Sequence, residues 1–166
     1  MSPTSIVVTD ANVLINLIHA ERLGLLGAVP PFEFVVVDEV VAEIILPNQA
    51  HALDMAVRAG HLRRIAITDI PSLTLRSEFG RIMGLGEAAS LAVAITQGWA
   101  IACDEKKVFL REAKARVGQQ RIMTTPGILL LAIRAGAISL EEADAIKAFL
   151  ETRRFRMNFA SFKDVL

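Results

Sequence analysis

Five short strand-like runs, each too brief for a helix and each followed by a helical pattern, leave this chain few ways to fold. The first is Ile6-Val7-Val8, β-branched and unbroken; the others cover residues 34–37, 62–67, 99–103 and, shortest, 121–123. Runs without polar alternation suit strands buried on both faces, as in a parallel sheet. Parallel strands need long crossovers, which helices supply. Helical patterns do lie between the runs: 13–29, broken near Gly24 and ended by Pro30-Pro31; 38–46, with Asp38 as N-cap and Pro47 as stop; and 49–59, closed by Gly60. Two more follow at 73–83 and 84–95, then 105–117. The alternation predicts an α/β fold with a central parallel sheet and helices on both faces. Thr125-Pro126-Gly127 opens a helix to Arg134, and Ser139-Leu140-Glu141-Glu142 is a capping-box pattern opening another to about Arg153. The amphipathic stretch 155–166 is expected to dock. With no repeat, linker or low-complexity segment, residues 1–166 read as a single domain with a C-terminal helical tail over about 139–166.

Composition narrows the class. Hydrophobic residues make up 53% of the 166, too many for a disordered chain. The most apolar long window, 88–103, is interrupted by Gln97-Gly98 and bounded by Glu87 and Asp104, so it reads as a buried helix followed by a strand rather than a membrane span. Met1-Ser2-Pro3-Thr4-Ser5 lacks the features of a secretory signal, and a lone cysteine, Cys103, suits a reducing compartment; the expected location is cytoplasmic, away from membranes. Net charge is zero, which does not advertise nucleic-acid binding. Net charge hides distribution, however, and carboxylates gathered in one place leave the remaining surface basic.

Four acids stand out by context. Asp10 follows the first strand, Glu43 sits in the helix after the second, Glu87 lies in the first turn of an alanine-rich helix, and Asp104 ends the fourth strand run. Each has a plain structural alternative: Asp10 and Asp104 as helix caps, Glu87 as a partner for a helix dipole, Glu43 as part of a solvated face. Taken together, Asp10, Glu87 and Asp104 all fall where a parallel sheet presents its carboxyl edge, the place such sheets bind ligands. Several carboxylates in one pocket repel unless a cation neutralises them, and an all-oxygen donor set points to Mg²⁺ or Mn²⁺ rather than zinc. Such an ion supports phosphodiester hydrolysis. There is no P-loop, and no Ser–His pairing in a nucleophile context.

The chain resembles the PIN-domain family over nearly its full length. The resemblance rests on Val8-Thr9-Asp10-Ala11-Asn12-Val13-Leu14, Val40-Val41-Ala42-Glu43-Ile44, Gly86-Glu87-Ala88-Ala89-Ser90-Leu91-Ala92 and Ala102-Cys103-Asp104-Glu105-Lys106, in that order. It implies a PIN-like three-layer α/β/α sandwich and a catalytic quartet of Asp10, Glu43, Glu87 and Asp104. Asp10, Glu87 and Asp104 would be the metal ligands, and the implied activity is that of a metal-dependent endoribonuclease. Thr9, Asn12 and Thr124 (or Thr125) match supporting polar positions. Many prokaryotic relatives resemble VapC-type toxins, which implies RNA as substrate, an antitoxin protein as partner and a homodimer. Two departures stand: Lys106 occupies the place where a further Asp is common, and the third acid is Glu rather than the commoner Asp. The altered fourth motif motivates an alternative, a catalytically weak PIN-fold module that binds RNA or protein.

Lys106, Lys107 and Arg111 follow Asp104 directly and are the residues expected to meet an RNA backbone, with Lys114, Arg116 and Arg121 farther along. Arg153, Arg154 and Arg156 form a second basic cluster. His19, His51 and His61 read as surface or packing residues.

Overall fold

The computed structural model describes residues 4–104 and 107–166. Strands β1 (Ser5–Thr9), β2 (Phe32–Val37), β3 (Arg63–Ile65), β4 (Ala100–Ala102) and β5 (Ile122–Met123) form one sheet in the order β3-β2-β1-β4-β5, every pairing parallel. Val7, Val8, Val35, Val36, Val37, Ile101 and Ala102 are fully buried, as strands covered on both faces must be. Burying each such valine contributes ~1.5–3 kcal/mol, which is why these runs, and not their polar neighbours, define the sheet.

The helices are α1 (Ala11–His19), α2 (Asp38–Glu43), α3 (Pro47–Arg58), α4 (Ile70–Phe79), α5 (Leu85–Gln97), α6 (Lys107–Arg116), α7 (Thr125–Arg134) and α8 (Leu140–Thr152). One group centres on α5, which lies against β1, β2 and β4 and packs on α2, α4 and α6; the other holds α1 with α3 and α7, and α8 on α7. With the sheet between them, this is the three-layer α/β/α sandwich. Helix α5 approaches closely because its inner face is small: Ala88, Ala89 and Ala92 are wholly buried.

Several local expectations are corrected. Residues 21–29 do not continue as α-helix; Leu23–Gly27 is a 3₁₀ segment whose Leu23, Leu25 and Leu26 are buried. Pro47 does not stop a helix but begins α3, at the first-turn position where its missing N–H costs nothing. Asp38 is inside the first turn of α2 and pairs with Arg64, while Val37 occupies the cap. Helix α4 starts at Ile70, three residues before expected, because Asp69 caps it by accepting from the Ser72 N–H. Gly60 takes the expected left-handed conformation (φ 78°), and the capping box of Ser139 and Glu142 is formed. Beyond α8 the chain is irregular except for a 3₁₀ turn at Phe162–Asp164, which docks with Phe162 fully buried.

Candidate active site at the carboxyl edge of the sheet

The strand order reverses between β1 and β4. The chain steps outward from β1 to β2 to β3, then returns to add β4 and β5 on the other side. Open α/β sheets bind ligands in the crevice such a reversal leaves at the carboxyl ends. Asp10 is the residue after β1, and its N–H donates to Ala102 O at 2.9 Å, which extends the β1–β4 pairing to the acid itself. Asp104 comes two residues after β4. Both are buried, at 1% and 6% exposure.

The capping alternative can be tested for Asp10. It does occupy the N-cap position of α1, with extended backbone, but its side chain makes no capping hydrogen bond. Burying a carboxylate is costly, and capping of α1 does not offset that cost here. Asp104 is held by three hydrogen bonds: Thr125 N–H to Oδ1 at 2.9 Å, Thr125 Oγ1–H to Oδ2 at 2.6 Å, and Asn16 Nδ2–H to Oδ2 at 2.7 Å. Burial pushes its pKa above the ordinary carboxylate value, and the donors from Thr125 and Asn16 pull against that rise.

Glu43 and Glu87 form the other half of the edge. Glu43 Oε1 accepts from the Gly86 N–H at 2.7 Å, so an acid at the end of α2 satisfies one of the open donors at the start of α5. A methyl group on Gly86 would lie 2.6–2.7 Å from all three atoms of that carboxyl group, which shows how closely it sits on the helix backbone. Glu87 follows in the same turn. A methyl group built on Gly84 would lie 3.9 Å from Glu87 Oε1 and 4.0 Å from Glu43 Oε1, so the two carboxylates flank one point. Glu43 is exposed and Glu87 half-buried.

Asp10 and Asp104 thus follow two adjacent strands, while Glu43 and Glu87 meet at the start of α5. Among the described residues, no group of three or more His, Cys, Asp or Glu side chains is gathered tightly enough to hold a metal ion. The donor set, all carboxylate oxygen, fits a hard divalent cation.

Of the two threonines the sequence left open, one reaches the acidic edge. Thr125, not Thr124, reaches Asp104; the Thr124 hydroxyl instead accepts from the Gly127 N–H at 3.2 Å and caps α7. Among the described residues the carboxamide on Asp104 is that of Asn16, one helical turn beyond Asn12, and the sequence reading missed it. Thr9 is fully buried at the end of β1, and among the described residues its hydroxyl has no hydrogen-bond partner. Lys107 begins α6 exposed, and Arg111 is exposed one turn later with a 3.4 Å contact to Glu112. Lys106 lies outside the described residues. No described helix is long and apolar enough to cross a membrane.

No curated protein and no solved structure gives a significant match to the chain. A family model does: DUF3368, described as a PIN domain, matches residues 6–166. That span takes in the sheet from Ile6 of β1 onward, with Asp10, Glu43, Glu87 and Asp104, and the chain therefore belongs to the PIN-domain family.

Proposed function

We propose that this PIN domain is a divalent-metal-dependent endoribonuclease that hydrolyses RNA phosphodiester bonds with Mg²⁺ or Mn²⁺, acting as the toxin of a type II toxin–antitoxin pair. The observation that carries the reading is the burial of Asp10 and Asp104 just past the two strands flanking the reversal of the sheet. Two acids kept there, with Glu87 and Glu43 on the adjoining helix start, suit an ion-dependent site better than helix capping. In this reading Asp10, Glu87 and Asp104 hold the cation and Glu43 completes the acidic group from α2. A bound divalent ion would supply an activated water and charge stabilisation at phosphorus. Thr125 and Asn16 keep the Asp104 carboxylate in one orientation. Lys107 and Arg111, spaced i, i+4 on α6, and Lys106 just before it take the RNA phosphates. An antitoxin and a second copy of the chain are part of the same proposal; Ile82 and Leu85, about half exposed ahead of Glu87, are side chains such contacts would cover.

The test is cleavage of labelled RNA by purified protein in Mn²⁺, with Asp10→Asn alongside. Cleavage should be lost in the variant by more than the 10–100-fold typical of removing an outer-shell partner, while the circular dichroism spectrum stays that of wild type. Equal cleavage by both proteins, or none by either, sinks the enzyme reading.

A second reading is a catalytically weak PIN-fold module that binds RNA or a protein. It is favoured by the absence, among the described residues, of three acids gathered closely enough to grip an ion. Titration calorimetry with Mn²⁺ separates the two, because the weak module gives little heat and no dependence on Asp10.

A further inference from the structure

A carboxylate offers about four acceptor positions, two on each oxygen. At Asp104 the described residues fill three of them. Thr125 takes one on each oxygen, its N–H on Oδ1 and its hydroxyl on Oδ2, and so fixes the plane of the group from a single residue. Asn16 takes the second position on Oδ2. Among the described residues, one position is left, on Oδ1.

We propose that Asn16 is a positioning residue that leaves Asp104 a single oxygen, Oδ1, with which to engage a divalent cation, and that it ties this acid to Asp10 through α1. The proposal rests on the metal-dependent reading of the site above. With Thr125 alone, both oxygens would keep an open acceptor and the carboxylate could engage an ion through either or both. Asn16 closes Oδ2 and removes that choice. It does so from α1, the helix that Asp10 begins, so the acid that follows β4 is fastened to the element that starts at the acid following β1. The contact spans 88 residues of chain at 2.7 Å, and it is made by a half-buried carboxamide whose partner is almost fully buried, where a hydrogen bond to a charged group is strong.

The experiment compares wild type with Asn16→Leu, similar in shape but without a donor. Mn²⁺ affinity by calorimetry should fall about 10–100-fold in the variant, the range for losing an outer partner of a ligand. Because Asn16→Leu also removes a contact that ties α1 to the end of β4, a second measurement uses the unaltered protein: the side-chain amide signals of Asn16 in a ¹⁵N spectrum, followed through a Mg²⁺ titration. They should shift with the midpoint that calorimetry gives for Mg²⁺, as a carboxamide that stays on the ligating carboxylate must. Unchanged affinity in a folded Asn16→Leu, or Asn16 amide signals that stay still while wild type binds Mg²⁺, overturns the inference. Wild type that binds neither ion overturns the metal-dependent reading itself, and the inference falls with it.

Discussion

At the scale of single residues, the most exacting position on the acidic edge is a glycine. Gly86 is in the first turn of α5 and has no positive φ, so its backbone does not require glycine; what a methyl group there would meet is the Glu43 carboxyl group. Alanine there would gain roughly 0.8–1 kcal/mol of helix propensity. Its methyl group, however, would displace Glu43 and lose a charge-assisted hydrogen bond worth about 1.5–3 kcal/mol, nearer the lower end for an exposed acid. Gly86→Ala should therefore cost about 1 kcal/mol, or roughly 2–4 °C in melting temperature for a chain of this size. In a Glu43→Ala background the obstacle is gone and the same substitution should raise the melting temperature. If Gly86→Ala has the same sign in both backgrounds, the contact does not stabilise the fold. This residue also marks how far sequence reading reaches. Asp10 and Asp104 were legible because each follows a buried-strand run. Glu43 was legible as an acid but not as a cap for α5, because the contact joins helices 43 residues apart. Asn16 was illegible for a similar reason: nothing in Asn12-Val13-Leu14-Ile15-Asn16 tells which carboxamide will face β4 until α1 is docked.

At the scale of elements, the sequence distinguished helices from strands well but misjudged their ends. Pro47 is the clearest case. A proline is unsuited to a helix interior and suited to a first turn, so the same residue reads as a stop or a start. The tail was legible as docking, since 155–166 alternates apolar and polar residues; what was not legible is the acid that docks it. Asp144 on α8 accepts from the Ser161 hydroxyl at 2.6 Å and from the Phe162 N–H at 2.8 Å. The Ser161 bond, then the Phe162 bond and the nearby Lys147 charge, hold its pKa below the ordinary 3.8. A carboxyl group with a depressed folded-state pKa adds stability above its unfolded value and loses it as pH falls through the folded one. The tail should consequently stay docked through neutral and mildly acid conditions and loosen only below pH 3.8. The Phe162 amide resonance, followed from about pH 6 to about pH 2, should show that transition. In Asp144→Asn it should be absent, with the signal displaced throughout. A wild-type signal that does not move below the ordinary carboxylate pKa disproves the coupling.

At the scale of the whole molecule, two buried acids far apart in sequence are carried to one edge by the return of the chain from β3 to β4. That return is made through α4 and α5, and α5 serves a second purpose by presenting Glu87 at its first turn. The order of strands was not written in any local pattern; the alternation predicts a parallel sheet but not that β4 pairs with β1. What sets the height of Glu87 over the edge is the closeness of α5 to the sheet, and that depends on its buried alanines. Ala92 is fully buried and lies five residues beyond Glu87, more than one helical turn away from the acids. Leucine at this position adds volume to a filled interface, which costs typically 1–3 kcal/mol. Ala92→Leu should lower the urea midpoint by a corresponding amount. It should also weaken Mn²⁺ binding although no proposed ligand is altered, because pushing α5 outward lifts Glu87 from Asp10 and Asp104. Ala143→Leu is the control: Ala143 is equally buried, on α8, which packs on α7 in the other group of helices, so the substitution also overpacks the core but leaves the start of α5 seated. Loss of stability in both variants with loss of ion affinity only in Ala92→Leu is the expected pattern. Equal affinity in both would mean that the seating of α5 does not govern the acidic edge.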